Sequence, residues 1–112
     1  MAQLNVLLTL FVVIFGMTQV DGAGGWSLMN TEHPTDSLAK AVDFAVEQKF
    51  PGCTAKLLSA MNQVVAGINF DFTAEMRNGP TCTTERFRVW DKFGTFKLTT
   101  HEHISDSCRS QS

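Results

Sequence analysis

The chain has 112 residues, 44% of them apolar and 18% charged. That is the composition of one folded domain, with no room for an eight-fold βα barrel or a full dinucleotide-binding fold, and no cofactor is expected. Nine basic against eleven acidic residues give a net charge of −2, so no cationic excess exists to neutralise nucleic-acid phosphates or to seek an anionic membrane.

Residues 6–15 read VLLTLFVVIF. The run is too short for a hydrocarbon layer, which takes about 20 residues, and has the length of the apolar core of a secretory signal peptide. The more polar GMTQVDGA follows, with Val20 and Gly22 three and one positions before a cut after Gly22. Residues 1–22 are therefore expected to be a signal peptide and residues 23–112 the mature, secreted, extracellular domain, free of the membrane. A cut after Gly16 is the alternative, and MAQLN at the start lacks the usual Lys or Arg. Export places Cys53, Cys82 and Cys108 in an oxidising compartment, where one disulfide bond and one spare thiol are expected; three pairings are open.

Within residues 36–49, Leu38, Ala41, Val42, Ala45 and Val46 recur at intervals of three and four, Phe44 widens the stripe, and Lys40, Asp43 and Glu47 fall off it. This is one amphipathic helix, started by Pro34-Thr35-Asp36 and stopped by Phe50-Pro51-Gly52. The period then changes to two. In residues 68–77, Ile68, Phe70, Phe72, Ala74 and Met76 alternate with polar residues, which predicts a half-buried strand. Residues 54–62 form a vaguer strand, with Leu57 and Leu58 adjacent. Residues 83–90 alternate around Phe87 and Val89, and residues 95–100 place Phe96 and Leu98 on one face. Asn78-Gly79-Pro80 and residues 91–94 read as turns, and the tail from Ser105 as polar and frayed apart from Cys108. The expected fold is α+β, with an antiparallel sheet of four to five strands on one helix.

Gln63-Val64-Val65-Ala66-Gly67 stands between two strands where a turn normally presents polar residues. It reads either as continued strand with a bulge at Gly67, or as an apolar tip suited to a dry cleft. His101 and His103 flank Glu102 and, in an unbroken strand, share the face of Lys97 and Thr99. Two ligands do not make a closed metal site, so a solvated strand end is expected. No spacing pairs Cys53 or Cys82 with His33, His101 or His103 as a thiol–imidazole couple, so no enzyme is expected.

QVVAG at residues 63–67, followed by INFDF, resembles the signature of the cystatins, inhibitors of papain-like cysteine peptidases. Three further features agree in order and spacing: Gly24-Gly25 ahead of the helix, the helix AVDFAVEQKF, and the hairpin Val89-Trp90-Asp91-Lys92-Phe93-Gly94 in the place of that family's second binding loop. The resemblance implies a cystatin-like sheet of five strands wrapped around the helix, with a short first strand near residues 27–30. It further implies a monomeric thiol protease inhibitor in which Gly24, Gly25, Gln63, Val64, Val65, Ala66, Gly67, Trp90 and Phe93 form a wedge. The wedge would occupy the active-site groove of a cathepsin-type peptidase and inhibit it reversibly, tightly and competitively. By position, Cys82 and Cys108 look like the pair that joins the last two strands of the family, while Cys53 has no counterpart.

The sequence departs from the family pattern in two places. The second loop lacks Pro-Trp: Phe93 stands about where the loop tryptophan belongs, and Trp90 looks like the strand aromatic beneath it. A cut after Gly22 leaves a trunk of Ala23 alone before the glycines, which implies weaker binding or altered selectivity, not loss of inhibition. The alternative function is a secreted, non-inhibitory interaction module on the same scaffold.

Overall fold

The structure, a computed structural model, describes residues 25–109; the expected leader, its cleavage site and Gly24 lie outside them. A short strand β1 (Trp26–Leu28) precedes one helix, α1 (Asp36–Lys49). Four long strands follow: β2 (Thr54–Val65), β3 (Gly67–Asn78), β4 (Thr81–Lys92) and β5 (Thr95–Ser105). All neighbouring pairs are antiparallel, and the order in the sheet is the order in the chain. The fold is α+β, one helix on a five-stranded antiparallel sheet.

α1 has the bounds its periodicity predicts. Thr35 caps it: its Oγ1 accepts the Leu38 N–H at 3.1 Å, and Asp36 and Lys49 sit at the ends where the helix dipole favours their charges. Phe50 ends the helix with its N–H on the Val46 carbonyl, and Gly52 turns the chain at φ 92. The stripe Leu38, Ala41, Val42 and Ala45 is buried together with Phe70, Phe72, Ala74 and Met76 of β3 and Phe87 and Val89 of β4. On β3 and β4 these are alternate residues, so one face of the sheet carries the core.

The other face of β3 is less exposed than simple alternation implies. Asp71 is 5% and Glu75 2% exposed. Asp71 faces Arg88 across the β3–β4 ladder and takes two guanidinium groups: Nε of Arg86 reaches Oδ1 at 2.8 Å, and Nη2 of Arg88 reaches Oδ2 at 2.9 Å. Burial pushes the Asp71 carboxyl up, but the hydrogen bonds and charges of Arg86 and Arg88 outweigh it and hold the carboxyl below its ordinary value. Glu75 accepts the backbone N–H of Arg109 at 2.7 Å.

β5 runs to Ser105, beyond the expected end at Thr100. Val89 pairs with Leu98 and Arg88 with Thr100, so Thr99 is an extra residue; Ile104 is another, between the Glu85–His103 and Thr84–Ser105 pairs. The bulge at Thr99 turns the face over. His101 and His103 consequently share the side of Phe96 and Leu98, where His101 stacks on Phe87 at 4.8 Å. The strand end is exposed from Thr99 to Ile104, as expected of a solvated end, yet both histidines engage the buried Glu85.

The tail is also held. Ser107 accepts a hydrogen bond from Thr84 at 2.9 Å, and Cys108 forms a disulfide with Cys82, the Cα atoms being 5.8 Å apart. The Thr99 and Ile104 bulges take up extra residues between the β4–β5 turn and Cys108, which brings Cys108 level with Cys82. Closing a loop with 26 residues of separation contributes about 3 kcal/mol in the chain-entropy account. Cys53, half-buried behind the helix, is the free cysteine among the described residues. No helix among them is long and apolar enough to cross a membrane.

Candidate functional site

The antiparallel order brings three separate parts of the chain to one end of the sheet. One ladder row crosses all five strands: Trp26 pairs with Gln63, Gln63 with Asn69, Asn69 with Trp90, and Trp90 with Lys97. Past that row lie Gly25, the β2–β3 bend with Val64 to Ile68, and the β4–β5 turn at Phe93. At this end Val64 is 60%, Val65 40%, Phe93 80% and Trp26 36% exposed. Apolar side chains at a sheet end are normally avoided, and three chain segments supply them here.

The β2–β3 connection is tighter than a loop of five residues. Val64 pairs with Ile68 and Val65 with Gly67, so Ala66 alone makes the bend and both valines remain in the ladder. Each of the two sequence readings captured half of this: the strand continues, and its end is an exposed apolar tip. Gln63 fixes the hairpin from within, its Oε1 accepting the Asn69 amide at 3.0 Å.

Gly67 has φ 99, and a Cβ on it would meet the Asp91 carbonyl oxygen, the Lys92 Cα at 3.0 Å and the Trp90 Nε1 at 3.1 Å. Both the backbone conformation and the close approach of the second hairpin therefore require glycine. Trp90 closes the same seam: its indole N–H donates to the Ala66 carbonyl at 2.9 Å. Lys92 lies 5.4 Å over the Trp90 ring and Arg88 4.8 Å over the Trp26 ring, both within cation–π range. Trp90 is half-buried and ties one hairpin to the other from below the tip; Trp26 stands on the edge strand β1 of the same ladder row.

The second turn consists of Phe93 and Gly94 alone, at φ 52 and φ 100, and Asp91 Oδ1 accepts the Gly94 N–H at 2.8 Å. Two positive φ values match the mirror-image hairpin turn that suits the twist of the flanking strands. A phenylalanine in that position is strained by about 1–2 kcal/mol. The backbone is thus held in an unfavourable conformation at the most exposed aromatic of the described residues.

The structure brings together Gly25, Gln63, Val64, Val65, Ala66, Gly67, Trp90 and Phe93; Gly24 lies outside the described residues. Cys82 is spent in the disulfide and offers no thiol. Two polar clusters escaped the sequence reading, Asp71 with Arg86 and Arg88, and Glu85 with His101, His103 and Asp106. Asp71 and Glu85 lie 15 to 18 residues from the Arg and His side chains that bond them, so no local motif announces the clusters. Compared with protein-family models, with curated proteins and with solved structures, the chain matches none of them.

Proposed function

We propose that this protein is an exported, cystatin-like inhibitor of papain-like cysteine peptidases, and that the apolar sheet end is its wedge. One observation carries the reading: Val64, Val65 and Phe93 stand exposed at the same end of the sheet, on two hairpins locked together by Trp90 and Gly67. A groove that binds extended peptides is long, concave and apolar in places, and a rigid convex edge of this kind fills it without presenting a peptide for cleavage.

The energetics favour such a use. Full burial of each valine is worth about 1.5–2 kcal/mol and of Phe93 somewhat more. The β-branched valines lose little rotamer freedom on docking, and both are already held in a ladder. Binding therefore spends little on ordering the tip. Gly25 in this reading lets the chain before β1 run close to the enzyme, and Gln63 acts inside the inhibitor. The Cys82–Cys108 disulfide supports export into an oxidising compartment.

The test is titration of papain with the mature protein. Stoichiometric, reversible, competitive inhibition is expected, together with its loss in Val65→Asp at an unchanged unfolding midpoint. Absence of inhibition at about micromolar protein with the fold intact refutes the proposal. It favours the non-inhibitory module instead, for which the two-residue Phe93–Gly94 turn, without Pro-Trp, is the specific argument.

A further inference from the structure

At the end of the sheet opposite the wedge, β4, β5 and the tail converge on one carboxylate. Glu85 is 2% exposed on the core side, opposite Ala74 of β3. Its Oε1 lies 2.8 Å from Nε2 of His101, and its Oε2 lies 2.8 Å from Nδ1 of His103. The other ring nitrogen of His103, Nε2, lies 2.8 Å from Oδ1 of Asp106.

Every neighbouring element contributes to the surroundings of this group. β5 supplies His101 and His103, and the tail supplies Asp106. β4 supplies the Thr83 hydroxyl and the Phe87 ring, β3 the apolar Ala74, and the end of α1 the Phe50 ring, 5.5 Å from that of His101. Among the described residues no lysine or arginine is ion-paired with Glu85. The two histidines are its imidazole partners.

An ionised carboxylate only accepts hydrogen bonds, and a neutral imidazole carries a single N–H. His103 meets a carboxylate oxygen at each nitrogen, so its bonds are complete only when both nitrogens are protonated. We propose that the His101–Glu85–His103–Asp106 relay is a proton-operated latch: it clamps the end of β5 and residues 106–109 to the sheet while His103 is an imidazolium, and releases Asp106 when His103 loses a proton. Asp106 is the partner that lets go because its side chain is 97% exposed and water replaces the lost bond, whereas Glu85 has no such substitute. The latch is independent of the inhibitor reading and stands or falls without it.

The direction of the ionisation follows from the same contacts. The hydrogen bond to Glu85 and then that to Asp106 raise the His103 pKa above its ordinary value. Burial pushes the Glu85 carboxyl up, but hydrogen bonds with Thr83, His103 and His101 outweigh it and bring it below its ordinary value. The stabilisation from His103 is complete below the ordinary histidine pKa and is lost as pH rises through the raised one. That from Glu85 is complete above the ordinary carboxylate pKa and is lost as pH falls through the lowered one. The latch is closed in mild acid and open in alkali or strong acid.

The test uses the full mature chain with its disulfide intact. The His103 ring is titrated by NMR, and exchange of the Ser107 and Arg109 amides, both hydrogen-bonded in the structure, is followed after correction for intrinsic exchange. The expected His103 midpoint lies above about 6.5, and tail protection falls about tenfold from about pH 5.5 to about pH 8 while the α1 amides stay protected. Asp106→Asn, a change at an exposed side chain, should lower the midpoint and leave the tail weakly protected at both pH values. A His103 midpoint at or below the ordinary value overturns the proposal. So does an Asp106→Asn variant with unchanged midpoint and exchange.

Discussion

Gly67 and Gly94 form a natural experiment. Their φ values are 99 and 100, yet a Cβ on Gly67 collides with the backbone of Asp91 and Lys92, while a Cβ on Gly94 has nothing within 4 Å. Alanine at either position suffers the same kind of backbone penalty, about 1–2 kcal/mol. Only Gly67→Ala must also push the two hairpins apart, at an overpacking cost of about 1–3 kcal/mol, and lengthen the Trp90–Ala66 bond. Gly67→Ala should therefore be less stable than Gly94→Ala by about 1–3 kcal/mol, or roughly 5–15 °C in Tm for a domain of this size. Urea unfolding of both variants measures the difference, with Trp fluorescence reporting the seam. Under the proposed function, Gly67→Ala also weakens papain inhibition by more than its population of unfolded protein explains. Equal stability of the two variants, to within about 0.5 kcal/mol, refutes the close-approach argument.

Three further outcomes are expected. Phe93→Asn, which tolerates positive φ, should raise stability by about 0.5–1 kcal/mol in chemical unfolding and, under the proposed function, weaken papain inhibition, so that the two readouts move in opposite directions. Asp71→Asn leaves Arg86 and Arg88 without their shared anion and should cost about 2–3 kcal/mol at neutral pH. Because the Asp71 pKa is lowered, its contribution is present above the ordinary carboxylate pKa and is lost as pH falls through the lowered value, so the gap between variant and parent should close in acid titration. Cys82→Ser with Cys108→Ser should lower stability by about 3 kcal/mol, as should a strong thiol reductant on the parent, measured by the unfolding midpoint.

The helix was legible to the residue because its stripe, cap and stop agree. β3 was legible to within a residue at each end because Ile68 to Met76 alternate without a break. β5 is five residues longer than its pattern suggests, since an inserted Thr99 puts the histidines on the face of Phe96 and Leu98, whereas the unbroken pattern places them with Lys97. Periodicity carries no mark of a bulge, and the same holds for Leu58 in β2. The burial of Asp71 was invisible for another reason: its partners sit on the next strand, and a polar residue in an alternating run looks solvated until they are known. The candidate site was partly legible. The segments 63–67 and 89–94 must share a sheet end once the strands are antiparallel, but the bond from Trp90 to Ala66 spans 24 residues and has no local signature.

Strand order that copies chain order has a kinetic consequence. Each of the three long hairpins closes over one or two residues, at Ala66, at Gly79–Pro80 and at Phe93–Gly94. Zipping them involves short loop closures of the microsecond kind, with only β1 and the helix waiting for a finished platform. The sheet is thereby assembled mainly from pairings between neighbours in the chain, the class of contact that costs the least loop entropy to form.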